Sequence, residues 1–113
     1  MDRLPLILDV DWFIIAGKAY PKKIAFYHLG QSQDFTFTLP DFARDHKSFL
    51  YSQSRHSHGL LWNTNGQFPH TKVHDAFDCM YGLLGLRPAQ LEFYTKGLQK
   101  VRFFEEYVPE VTD

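Results

Sequence analysis

"LPLILDVDWF", residues 4–13, sets an almost wholly apolar, β-rich run around two aspartates. A strand buried on both faces reads this way, so the stretch predicts the central strand of a sheet. "IIAGK" follows it, and Gly17 can supply the positive φ of a tight turn. "AYPKKIAFYHL" (Ala19–Leu29) reads as the returning strand. Pro21 has no N–H to give to a ladder, so pairing is expected to start after it. "GQSQ" is a second turn. "DFTFTLP" then alternates, with Phe35, Phe37 and Leu39 on one side and Thr36 and Thr38 on the other. Pro40 closes it. Three strands on short connections predict an antiparallel meander.

Downstream the period changes. "DFARDHKSFLYSQ" can hold a helical turn or two anchored by Phe42, Phe49 and Leu50. "TKVHDAFDCMYGLLG" places Val73, Phe77, Met80, Tyr81 and Leu84 at helical spacing, with Thr71 as N-cap, Gly85 as C-cap and Pro88 beyond. "LEFY" (Leu91–Tyr94) is a short strand, "TKG" a turn, and "LQKVRFFEEYV" (Leu98–Val108) a helix stopped by Pro109. The order β-β-β-α-β-α gives an α/β domain bordering on α+β. Its mixed sheet has the fourth strand parallel to the first through a right-handed crossover.

The bulk numbers narrow the class. A chain of 113 residues forms one domain with room for a real core. Aromatic residues make up 17%, too many for a disordered tail. A formal net charge of −1 supplies no overall field toward nucleic acid or an anionic membrane, so any nucleic-acid contact needs a local basic patch. Cys79 stands alone, which rules out an intrachain disulfide and favours a reducing compartment. The apolar run at Leu4–Leu8 is too short for a signal peptide or a membrane span. These features predict an intracellular protein, nuclear or cytoplasmic, with no membrane association.

Four groups of residues carry possible chemistry. Asp9 and Asp11, two apart on a strand, project from one face. Two such carboxylates repel, and Mg²⁺ or Mn²⁺ would relieve them, as two-metal phosphoryl transfer requires. A neighbouring Lys18, Lys22 or Lys23 would relieve them equally. Glu92, Asp75 and Asp78 are further acidic candidates without a motif. "RHSHGLLWNTNGQFPH" (residues 55–70) leads to His74; His58 and His74 are the candidate ligands of a zinc site. The stronger reading makes this stretch a packed connector: His58-Gly59 forms a turn, the imidazoles satisfy loop carbonyls, and Leu60, Leu61 and Trp62 tuck onto the sheet. Trp62 as a base-stacking platform is the alternative. Lys96, Lys100 and Arg102 gather at a helix start, where backbone N–H groups and cations suit a nucleic-acid phosphate, although Glu105 and Glu106 offset them. Cys79, beside Phe77 and Met80, reads as a small buried hydrophobe.

The acidic pair in "LDVD", the Pro-Lys strand "AYPKKIAFYHL", "HGLLW" ahead of the helix and "FYTKGLQKVRFF" resemble, over nearly the whole chain, a group of invertebrate and mobile-element proteins akin to the DEDDh exonucleases. "HSHG" is also similar to the His-Gly turn of the more distant Maelstrom nuclease-like domain. The resemblance implies a ribonuclease H-like fold, an active site at Asp9 and Asp11, and the segment with Lys96, Lys100 and Arg102 beside it. Two departures bear on activity. The family opens with Asp-x-Glu where this chain has Asp9-x-Asp11, and nothing after Asp113 corresponds to its last strand and helix, which carry a catalytic His and Asp. The Maelstrom-like metal site uses one His with a Glu and two Cys, and one Cys is present here. The expectation is therefore a non-catalytic ribonuclease H-like module that binds a protein or nucleic-acid partner, with a metal-dependent 3′–5′ exonuclease, or a fragment of one, as the alternative. Without the last strand and helix, the fourth strand keeps an open edge and aromatic surface stays bare, which predicts a homodimer or a dedicated protein partner, the alternative being a monomer in which "DFARDHKSFLYSQ" folds over the gap.

Overall fold

The computed structural model describes residues 2–113. Strands β1 (Leu4–Ile15), β2 (Lys18–His28) and β3 (Gln31–Thr38) form the antiparallel meander. Both hairpins turn through two residues with positive φ, Ala16-Gly17 and Leu29-Gly30, as the right-handed strand twist favours. A 3₁₀ segment (Asp41–His46) runs into helix α1 (Lys47–His56), a fuller element than the turn or two predicted. A connector then leads to the two-residue strand β4 (Phe68–Pro69) and helix α2 (Val73–Leu84). Strand β5 (Leu91–Tyr94), helix α3 (Leu98–Phe104) and strand β6 (Val111–Thr112) complete the chain. The architecture is α/β, one mixed sheet in the order β4-β3-β2-β1-β5-β6 with three α-helices.

β5 runs parallel to β1, as predicted, but pairs only with Leu4–Ile7. Its outer edge is not open: β6 pairs with it in parallel at Phe93 and Tyr94. Phe93 is buried, so the edge expected to carry a dimer contact is part of the core. α3 ends at Phe104, four residues short of the predicted helix, and the segment to Val108 folds back as turns that bury Val108. α2 starts after Lys72 without a side-chain cap, so Thr71 does not cap it. Gly85 does close it, in the left-handed region with its N–H donated to the Tyr81 carbonyl.

Pairing also passes through Pro21. The register shifts where Asp11 faces Lys23 and Trp12 faces Pro21, leaving Lys22 as the extra residue of a bulge. Pro21 lies beyond the β2–β3 ladder, which begins at Lys23, so no hydrogen bond is lost on that side.

The two faces of the sheet differ. Leu6, Leu8, Val10, Ile24, Phe26, Phe35 and Phe37 face α2 and α3, whose Phe77, Met80 and Phe104 complete the main core. Phe13 and Ile15 point the other way, under Leu39, Ala43 and Leu50. Leu39 lies one residue past β3 and joins this second cluster rather than following Phe35 and Phe37.

Candidate functional site

Asp9 and Asp11 do share one face of β1, the face away from α2. They stand just past the Ile7–Tyr94 pair, at the carboxyl end of the parallel β1–β5 ladder. Sheets of this kind hold ligands outside the carboxyl ends of their strands. Here each carboxylate already has a cation. β5 stops at Tyr94, the chain turns, and α3 starts beside the stretch of β1 that β5 leaves free, so Lys100 reaches across to donate to Asp9 Oδ1 at 2.5 Å. Asp9 Oδ1 also accepts the Val10 N–H at 2.9 Å. Lys23, directly opposite Asp11 on β2, sits 3.8 Å from its Oδ2.

The three basic residues of the predicted patch therefore separate. Lys100 is committed to Asp9, whereas Lys96 and Arg102 are exposed. Arg102 forms one wall of a groove of about 510 Å³ between the β1–β2 hairpin and α3, whose floor includes Trp12, Phe103 and Tyr107. The start of α3 is not free for an outside anion either, because Gly97 donates its N–H to the Asp113 carboxylate at 3.0 Å.

The connector is packed. The Nδ1 atom of His58 accepts the Leu60 N–H at 3.0 Å, so the proton lies on Nε2, which donates to the Trp12 carbonyl at 2.9 Å. Both nitrogens are occupied, and the ring meets Phe13 edge-on at 4.6 Å. His74 stands instead against Tyr107. Trp62 packs on the second cluster beside Tyr51, whereas Leu61 remains exposed, contrary to expectation. Cys79 is exposed on α2, not buried. Asp75 and Asp78 lie on the same helix, over the opposite face from Asp9. The Glu92 carboxylate beside Tyr94 holds that phenol above its ordinary range.

Two residues take roles that the sequence reading did not assign them. Lys22, turned inward by the bulge and 3% exposed, donates to the Phe37 and Thr64 carbonyls, tying β3 to the connector. Burial pushes its ammonium pKa down. Gln53 of α1 takes both backbone groups of Ile14 at 2.8 Å, standing in for a strand where β5 has ended. A lysine after a proline in a strand is a weak hint of the first; nothing local announces the second.

A metal finds no ready cradle. Among the described residues no three His, Cys, Asp or Glu side chains stand close enough to hold an ion. Mg²⁺ or Mn²⁺ at Asp9 would have to displace the Lys100 ammonium, so the residues present do not fit the pair of ions that phosphoryl transfer needs. No protein-family model, curated protein or solved structure matches the chain. No helix of the described residues is long and apolar enough to cross a membrane.

Proposed function

We propose that this domain is a ribonuclease H-like module that binds a partner and does not cleave nucleic acid. One observation carries the reading: Lys100 holds Asp9 and Lys23 holds Asp11, so the chain itself neutralises the carboxylates that an exonuclease would give to metal. Strand order supports the fold assignment, with a three-strand meander, then β5 parallel to the first strand at its side, then β6 parallel to β5. The partner is a protein, a second copy included, or a nucleic acid reached through Lys96 and Arg102, the cations of the patch left exposed.

The exonuclease reading keeps one point of support, the position of Asp9 and Asp11 at the carboxyl end of the parallel pair. End-labelled single-stranded DNA and RNA incubated with the protein and Mg²⁺ or Mn²⁺ decide between the two. The binding module leaves both intact. Metal-dependent shortening from the 3′ end, lost in Asp9→Asn, would establish the enzyme.

A further inference from the structure

The sheet face that carries Asp9 is covered at one end only. Near the hairpin tip Phe13 and Ile15 lie under Leu50 of α1 and Ala43 of the 3₁₀ segment. Toward the amino end of β1 the same face exposes Ile7 by 52% and Tyr27 by 47%. The register fixes what stands there. Ile7 faces Tyr27 on β2 and Tyr94 on β5, so these three side chains form one row across three strands. One step along, Asp9 faces Ala25, which faces Asp34 on β3. A further step brings Asp11, Lys23 and Thr36 into line. Glu92, two residues before Tyr94, borders the row on its other side. An apolar and aromatic strip thus runs between four carboxylates, of which Asp9 and Asp11 pair with Lys100 and Lys23, so that Asp34 and Glu92 are the acidic excess.

From this surface we infer that the bare half-face docks a basic amphipathic helix of a protein partner. The inference rests on the binding-module reading and names the partner's chemistry. The dimensions suit one helix: about 14 Å across four strands and about 13 Å along Ile7–Asp11, against a helix ~10 Å wide and about two and a half turns of contact. α1 already packs on the adjoining half, so this face accepts helices. A stripe of Leu or Ile would cover Ile7 and Tyr27. Flanking Lys or Arg would meet Asp34 and Glu92 while their aliphatic stems extend the apolar contact. Nucleic acid is disfavoured, because phosphates would face more carboxylates than cations. A second copy is disfavoured for the same reason, since two-fold contact sets one acidic surface on another.

The test uses the intact chain, ¹⁵N-labelled, and two synthetic amphipathic peptides of about four helical turns, one with Lys and one with Glu beside the same Leu stripe. The Lys peptide is expected to bind saturably, shift the amides of Ile7, Ala25 and Tyr27, and bind at least tenfold more tightly than the Glu peptide. Asp34→Lys and Tyr27→Lys, both on exposed side chains, are each expected to weaken binding several-fold without changing Tm. Equal affinity for the two peptides, no saturable binding, or shifts confined to other surfaces overturns the proposal. So does a dimer in sedimentation that Ile7→Lys dissociates, an outcome that leaves the binding-module reading standing. Metal-dependent nuclease activity would remove that reading instead, and the peptide titration is blind to it.

Discussion

The two halves of one strand face make different proteins of the same β1. From Phe13 to Ile15 the face is sealed, with apolar packing from Leu39, Ala43 and Leu50 and the strand edge closed by Gln53 and His58. From Ile7 to Asp11 the same face has no such cover: Ile7 is exposed, Asp9 and Asp11 are half-buried, and the two charges are managed singly by Lys100 and Lys23. Alternation along the strand is the same in both halves; what differs is whether another part of the chain covers the side chains. The sealed half adds a second packed cluster to the main core that underlies the whole strand, whereas the open half leaves its side chains free to interact.

The largest test of that contrast compares two truncations on one strand. Phe13→Ala removes a fully buried ring and is expected to cost about 3–5 kcal/mol. Ile7→Ala, on a half-exposed side chain, should cost less than about 1 kcal/mol. Urea denaturation of both variants measures the difference, and similar losses would erase the distinction between the halves.

Gly66 sharpens the account of how the connector is fastened. A Cβ there would lie 2.4–2.5 Å from the Phe37 backbone, and the Gly66 N–H is donated to Thr38 Oγ1. Gly66→Ala should therefore destabilise by roughly 1–3 kcal/mol through forced separation of connector and strand. Denaturation midpoints check this, and a neutral effect would mean that the two segments are not in contact.

Lys22 supplies a pH signature confined to the sealed half. Burial lowers its pKa in the folded chain below the ordinary 10.5. Between the lowered value and 10.5 the unfolded chain binds more protons at this site, so its contribution to stability rises with pH across that window. At lower pH both states are charged and the burial cost is felt in full. The stability of wild type relative to Lys22→Met should consequently improve between pH 7 and pH 10. A gap that stays constant would place the ammonium in solvent.

The smallest effect is expected in the open half. The Lys100 and Asp9 side chains are 32% and 49% exposed, so Lys100→Met should change stability by no more than about 1 kcal/mol. That change should shrink with added salt. A larger, salt-independent loss would show that this half is structurally committed as well.

Most of the architecture was legible because it is written locally. The alternation of Phe35 and Phe37, the turn at Gly17, the helical period from Val73 to Leu84 with Gly85 after it, and the four residues of β5 each depend on neighbours in sequence. The relief of Asp11 by Lys23 was also within reach, because hairpin register brings them opposite. What escaped depends on distant partners. Lys100 meets Asp9 across 91 positions and Gln53 meets Ile14 across 39. The bulge that buries Lys22 is a one-residue register shift, marked in the sequence only by the neighbouring Pro21. Cys79 misled because its neighbours Phe77 and Met80 are buried, whereas a residue two places past one and one before the other points away.

Whether Lys100 and Lys23 stand where metal would at Asp9 and Asp11, as proposed, is tested most directly by thermal unfolding with added divalent cation. Millimolar Mg²⁺ or Mn²⁺ should leave the wild-type Tm where Ca²⁺-free and metal-free buffer puts it, since a bound ion would stabilise by mass action. A rise in Tm that grows with metal concentration and disappears in Asp9→Asn would contradict the account and return the site to metal chemistry.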